Sequence, residues 1–162
     1  MNRRIIITAA IAFALAGCGS SNLIVLDPVK APIKADTISL VYENSTVGVP
    51  DDAVAQTKHY MHEAFFGGDH PAFREGMNGI SIHYGYVGFK KGSRFGRWMI
   101  GNIGNAGANM VLRAEFYDAA GNKIGEAQSQ GQINSGLLGG SANSAIKKAV
   151  KEIEQYAEAQ FR

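Results

Sequence analysis

The spacing of apolar residues changes along the chain, and this change restricts the fold more than any other feature. Residues 37–43, 80–90 and 108–117 alternate apolar residues with other side chains, the period of a strand with one buried face. Residues 118–122 (Asp-Ala-Ala-Gly-Asn) predict a hairpin turn. Residues 123–133 then predict a fourth strand, polar in composition and peripheral in the sheet.

Two further segments repeat apolar residues every three or four positions, as helices with one buried face do. Residues 51–66 begin after Pro50 with two acidic residues, which is typical of a helix start. Residues 141–161 carry the clearer stripe, and their lysines and glutamates are predicted to face solvent. The order β-α-β-β-β-α predicts one α+β domain over residues 37–162. We expect a mostly antiparallel sheet of about four strands with both helices on one face.

The N-terminus has the pattern of an export signal. Arg3 and Arg4 precede an almost wholly apolar run over residues 5–15, the arrangement of a secretory signal peptide. The run is shorter than the roughly 20 residues that a membrane-spanning helix needs. Residues 1–17 are therefore predicted to be a signal peptide that is removed.

A cysteine follows the apolar run directly, in the sequence Leu15-Ala16-Gly17-Cys18. This sequence resembles the bacterial lipobox, whose small residues fit a protease site and whose cysteine accepts a diacylglycerol. Cys18 is the only cysteine, so the chain forms no internal disulfide. The resemblance implies an acylated Cys18 and a tether over residues 18–36. Each buried methylene contributes about 0.8 kcal/mol, so two or three acyl chains anchor firmly.

The residue after the cysteine bears on the membrane that is reached. Gly19 stands where an aspartate would favour retention at the inner membrane, so the resemblance implies the outer membrane, facing the periplasm. In a host with a single membrane, the same anchor implies the cell membrane. The alternative is an ordinary signal peptide in which Cys18 has no role.

Charge argues against nucleic acid as a partner. The chain has 16 Lys and Arg against 14 Asp and Glu, but Arg3 and Arg4 lie in the predicted signal. The predicted mature chain is therefore neutral, whereas domains that bind nucleic acid usually carry a basic surface.

A glycine-rich segment at residues 90–109 admits two interpretations. Its glycines suit tight turns and close backbone packing. Alternatively, it is a basic loop that contacts anionic lipid, glycan or protein, with a tryptophan at the interface. The residues of that contact are Lys90, Lys91, Arg94, Arg97 and Trp98. A phosphate-binding loop is not predicted, because a strand follows these glycines where a helix is required.

Other candidates for chemistry are weak. His59 and His62 are three residues apart on the first predicted helix, and His70 follows it. A zinc site needs three or four converging ligands, and the HExxH pattern is absent, so solvated histidines are the expectation. The sequence also has no Gly-x-Ser-x-Gly elbow. We therefore predict no enzyme, no metal and no cofactor.

The glycine-rich segment, the strand after it and the last helix share a succession of residue types with a known family. The residues concerned are Arg97, Gly101, Gly104, Gly107, Ala108, 110–117, Asp118, Gly121, 136–140, Ala145 and Ala149. This succession resembles a family of bacterial lipoproteins that is known only as a domain of unknown function. The resemblance implies a small α+β lipoprotein of the cell envelope, and it implies no catalytic residue.

The expected function is that of a lipid-anchored envelope protein with an accessory or binding role. Its partners would be the membrane, through the anchor, and an envelope protein or glycan. Two alternatives stay open: a subunit of an export or surface-assembly complex, and a hydrolase of an envelope polymer.

Overall fold

The structure, a computed structural model, describes residues 21–30, 33–89, 110–131 and 142–162. Six strands and two helices occupy this part of the chain. In chain order they are β1 (Ser21–Asp27), β2 (Thr37–Tyr42), α1 (Asp51–Phe66), β3 (Arg74–Glu75), β4 (Ile80–Phe89), β5 (Met110–Tyr117), β6 (Lys123–Gly131) and α2 (Ala142–Phe161). The fold is α+β, as the sequence predicts, with two helices and one sheet.

The strands form one sheet in the order β1-β6-β5-β4-β2-β3. β1, β6, β5 and β4 are antiparallel neighbours, whereas β2 runs parallel to both β4 and β3. Parallel neighbours need a long crossover connection, and α1 supplies it between β2 and β4. The sheet is therefore mixed and six-stranded, where the sequence predicts about four mostly antiparallel strands.

The core lies between one face of the sheet and the two helices. α1 and α2 pack on each other, α1 against β2 and β3, and α2 against β1, β5 and β6. Alternate residues of the strands point into this layer, and they meet the apolar stripes of the helices. Fully buried large side chains include Tyr86, Phe65, Phe73, Phe116, Phe161, Ile38, Met61, Ile82, Leu112 and Ile146.

Part of the segment predicted as a tether, residues 18–36, is a strand of the sheet. Residues 21–27 form β1, which pairs along its length with β6, from Ser21 opposite Gly131 to Asp27 opposite Glu126. Leu23 of this strand packs against the core. The four apolar residues 23–26 do not alternate with polar ones, so their spacing alone gives no strand signal. Pairing with a neighbour and contact with α2 stabilise them as an edge strand.

The last strand corrects the prediction of a peripheral β6. It lies between β1 and β5 in the interior of the sheet. Its core-facing positions Gly125, Ala127, Ser129 and Gly131 are small and buried. A Cβ atom at Gly131 would lie 3.2 Å from the carbonyl oxygen of Ala145 in α2. These small residues let the helix approach closely, so a strand of low hydrophobicity is nevertheless central.

Several local predictions are confirmed. α1 spans the predicted residues 51–66, and α2 begins within one residue of the prediction. The β5–β6 turn is closed by Asp118, whose Oδ1 accepts the N–H groups of Ala120 and Asn122 at 2.9 and 2.8 Å. Gly121 has φ +82°, a conformation that glycine adopts without strain. Neither helix of this described part has the length and apolar character needed to cross a membrane.

Candidate functional sites

The two sets of site residues that the sequence favours lie outside the described residues. These are Cys18 and the proposed contact set Lys90, Lys91, Arg94, Arg97 and Trp98. Their described neighbours can nevertheless be placed. Phe89 ends β4 and Met110 begins β5, and these two residues are register partners.

One row of residues crosses the sheet at this end. Phe89 pairs with Met110, Met110 with Gly131, and Gly131 with Ser21. We call these four residues the terminal row. The chain therefore enters and leaves the sheet here for residues 90–109, and Cys18 is only three residues before Ser21. The chain positions of the predicted lipidation site and of the basic segment thus adjoin the same end of the sheet.

The histidines of α1 and the loop after it point into solvent. The His59 side chain is 72% exposed, and its Nε2 lies 3.9 Å from an oxygen of Glu63. The His62 side chain is 63% exposed, and its Nε2 lies 3.6 Å from an oxygen of Glu75. His70 is exposed as well. In the described ranges, no three His, Cys, Asp or Glu side chains converge as metal ligands would.

A polar network crosses the face of the sheet that is turned away from the helices, which we call the polar face. His83, Glu115 and Glu126 are successive register partners on β4, β5 and β6. The Nζ atom of Lys123 donates to Glu115 at 2.8 Å and to Glu126 at 2.5 Å. Because like charges opposite each other on adjacent strands repel, this shared lysine makes the pairing favourable.

The network continues through aromatic and imidazole groups. The hydroxyl of Tyr117 donates to Oε2 of Glu115 at 2.9 Å. The rings of Tyr117 and His83 lie 4.5 Å apart between centroids. Nδ1 of His83 is 2.8 Å from Oε1 of Glu43, just beyond β2. Polar contacts and ring packing thus link side chains from the end of β2 to β6. The sequence analysis did not identify His83 or Glu43, because only the sheet order brings them together.

The surroundings of Glu115, Lys123 and Tyr117 shift the pKa of each of these groups. Partial burial raises the pKa of Glu115, but hydrogen bonds from Lys123 and Tyr117 and the charge of Arg113 outweigh burial and leave the pKa below its usual value of 4.5. Hydrogen bonds to Glu115 and Glu126 raise the pKa of Lys123. Burial, together with the hydrogen bond to Glu115, raises the pKa of Tyr117. A carboxylate held ionised by fixed donors is a poor general base, since efficient bases have a pKa near the working pH.

A second candidate site is the groove between α1 and α2, which we call the helix groove. It encloses about 450 Å³ and is lined by Tyr60, Gly67, Lys147, Lys148 and Lys151, among others. This volume is in the range of small-ligand sites. The ammonium of Lys147 lies 5.7 Å from the centroid of the Tyr60 ring, close enough for a cation–π contact.

The charges of the groove are unequal. Glu63 is its one acidic lining residue among those described, and three other lining residues are lysines. Lys151 donates to Glu154 at 2.8 Å, and Glu154 is almost fully buried. This burial corrects the prediction that all the charged residues of α2 face away from the core. Lys147 and Lys148 form no ion pair with any residue that the structure describes.

A third candidate site is a cavity at the opposite end of the sheet. It encloses about 370 Å³ beside the start of β2, and its charged lining comprises Lys34, Asp36, Arg74 and Asp118. Arg74 lies 3.9 Å from Asp36, and both side chains are largely exposed. The carboxylate of Asp118 accepts hydrogen bonds from backbone N–H groups of the turn that it closes. Because its charges balance and are solvated, this cavity indicates no particular ligand.

Comparisons with known proteins return distant similarities to solved structures. No protein-family model matches the chain, and no curated protein does. Similar solved structures include the PelC dodecamer from Paraburkholderia phytofirmans, 12% identical over 90% of this chain and 99% of that one, with a TM-score of 0.48. A point variant of that dodecamer is 13% identical over 90% and 100% of the two chains, with a TM-score of 0.45. At these values no conclusion on activity, ligand or assembly follows, and the sequence resemblance to a lipoprotein family stays a prediction.

Proposed function

We propose that this chain is a bacterial envelope lipoprotein with a non-enzymatic accessory or binding role. Residues 1–17 are removed, and acyl chains on Cys18 hold the domain at the periplasmic face of the outer membrane, or at the cell membrane of a host with one membrane. The support is the apolar run that ends in Leu15-Ala16-Gly17-Cys18.

The position of Ser21 in the terminal row predicts how the anchored domain is oriented on the membrane. Three residues of extended chain span about 10 Å, so acyl chains on Cys18 would hold the first strand close to the bilayer. The terminal row would then face the membrane. In the same orientation, the end of β4 would lie on the membrane side, and Lys90, Lys91, Arg94, Arg97 and Trp98 follow it in the sequence. Basic and aromatic residues favour head groups.

The test is the replacement Cys18→Ser, followed by membrane fractionation and mass spectrometry of the protein from its host. We expect the wild type to sediment with membranes and to carry a diacylglyceryl group on Cys18. The variant should lose both properties, because serine offers no thiol for the thioether. Ser20→Ala is the matched control, since it alters the same short segment and leaves the thiol in place. Membrane association of Cys18→Ser equal to that of the control would refute the anchor.

A second candidate function, a subunit of an envelope assembly, is favoured by the position of β1 at the edge of the sheet. Among the described strands, β1 has β6 as a neighbour on one side only, so its other side would offer backbone donors and acceptors to a partner. Val25 and Leu26 on this edge are 41% and 43% exposed. In-cell photo-crosslinking from Val25 should give one dominant protein partner if the edge is occupied. A site on the exposed face of α1, such as Ala55, serves as the control, and the same products from both sites would refute this function.

A further inference from the structure

The charge order along α2 is unusual for a helix. Lys147, Lys148 and Lys151 lie in its first half, whereas Glu152, Glu154 and Glu158 lie in its second half. The dipole of a helix favours acidic groups at the N-terminus and basic groups at the C-terminus. The order found here is the reverse, so a favourable interaction with the helix dipole does not account for the lysines.

The first turns of α2, just before the lysines, lie near the terminal row. The carbonyl oxygen of Ala145, two residues before Lys147, is 3.2 Å from the position of a Cβ atom at Gly131. Gly131 pairs with Ser21, the first residue of β1. The first turns of α2 therefore adjoin the end of the sheet at which the chain leads to Cys18.

The helix groove has a shape and charge that suit an anionic head group. Lys147 and Lys148 have no carboxylate partner among the described residues, and both side chains are exposed. Tyr60 and Val150 add an apolar wall to a space of about 450 Å³. A phosphate carries the complementary charge, and its glycerol and upper acyl carbons match the apolar wall.

We infer that the helix groove holds an anionic phospholipid head group of the membrane in which the acyl chains of Cys18 are inserted. The inference rests on the proposed function for its source of lipid. The anchor supplies proximity, and Lys147 and Lys148 supply charge selectivity. Together they orient the domain, with α2 tilted towards the bilayer and β3 away from it.

The experiment measures how fast lysine amines are acetylated in the mature protein purified from its host. The protein is mixed with vesicles of phosphatidylcholine alone, or of phosphatidylcholine with one third phosphatidylglycerol. We expect the anionic vesicles to slow the labelling of Lys147 and Lys148 about fivefold, the factor typical of one lysine at an anionic surface. Lys34 and Lys58 provide the internal control. Both are exposed and lack an ion pair with described residues, and Lys58 also lies over a ring, that of Tyr42 at 4.8 Å.

Two double variants test whether the protection depends on the lysines of the helix groove. In the double variant K147Q/K148Q, the protection of Lys151 by anionic vesicles should be lost. The variant K34Q/K58Q removes the same charge, and it should keep the protection of Lys151. Equal protection on neutral vesicles, or equal protection of Lys34 and Lys58, would overturn the inference. Equal protection by inorganic phosphate without vesicles would overturn it too, because the groove would then be a site for a small free anion.

The same sample separates this inference from the proposed function, because the mass of the N-terminal residue is measured on it. Protected lysines with an unmodified Cys18 would refute the anchor and support the groove as a lipid site. An acylated Cys18 with unprotected lysines would refute the groove and support the anchor.

Discussion

Phe116 and Tyr117 are neighbours in β5, yet they belong to two different environments. Phe116 points into the layer between sheet and helices, is fully buried and contacts the rings of Tyr156 and Phe161. Tyr117 points to the polar face, where its hydroxyl bonds Glu115. The two faces therefore depend on different forces: burial of apolar area on one, and hydrogen bonds between partly solvated charges on the other. We therefore expect side chains on the helix-covered face to contribute more to the free energy of unfolding than those on the polar face.

The largest expected effect is that of Phe116→Ala. Removal of this buried ring leaves a cavity between β5 and α2, and we expect the free energy of unfolding to fall by about 3–5 kcal/mol. Urea unfolding followed by circular dichroism measures it. Tyr117→Ala is the matched control on the adjacent position, and it should cost about 1 kcal/mol. Equal losses for the two variants would break the comparison between the faces.

An intermediate effect is expected at Thr57, where the helix-covered face contains a buried polar contact. The Thr57 hydroxyl donates to the carbonyl of Ala53 at 2.8 Å, so the Tyr86 hydroxyl, 2.5 Å away, must donate to Thr57. Burial raises the pKa of Tyr86 to about 12, so this donor stays protonated at neutral pH. Thr57→Val leaves a buried donor unpaired and should cost about 1–3 kcal/mol.

A double-mutant cycle tests whether this cost comes from the contact itself. Tyr86→Phe should cost less than Thr57→Val, because the remaining threonine hydroxyl still donates to Ala53. The double variant should be less destabilised than the sum of the single variants, as residues in one hydrogen-bond network are. Strict additivity would show that the two hydroxyls do not interact.

The smallest expected effect is on the polar face and depends on pH. The folded-state pKa of Glu115 is lowered, so its ionised form stabilises the fold above its ordinary pKa of 4.5, and this contribution is lost as the pH falls through the folded-state value. At neutral pH, Glu115→Gln should lower the free energy of unfolding by about 1 kcal/mol. The difference from the wild type should shrink as the pH falls below 4.5.

Urea unfolding of both proteins across this pH range measures the effect. Gln128→Ala, on the same face and outside the network, is the control and should show no such pH dependence. A difference between Glu115→Gln and the wild type that does not change with pH would show that ionisation of Glu115 contributes nothing to stability.

Much of the fold follows from local patterns, and the exceptions share a cause. The stripes of α1 and α2, the alternation of β4 and β5, and the Asp118 turn are all signals that a few neighbouring residues carry. β1 has no alternation, and β6 has small residues, mostly glycine and alanine, at its core-facing positions. Their places depend on partners far along the chain, so no local window reveals them.

The candidate sites also combine residues that the sequence makes visible with partners that only the fold brings close. The lysines of α2 are visible in the sequence, but the helix groove also needs Tyr60 and Gly67, about 80 residues earlier in the chain. The polar network likewise joins Glu43 to His83 and Glu115 through the order of strands. Glu154, which its spacing places among the solvent-facing residues, is instead buried beside Lys151.

The sequence by itself determined where helices and most strands lie, and it predicts the anchor at Cys18, because these properties depend on contiguous residues. The tertiary structure alone decided that the sheet is mixed and six-stranded, that β6 is central, and that the chain towards Cys18 starts from the same end of the sheet as residues 90–109. The physical reason is that strand pairing and helix packing are chosen by the burial and hydrogen bonding of the whole chain together. Residues distant in sequence compete for the same neighbours, and only the folded arrangement settles that competition.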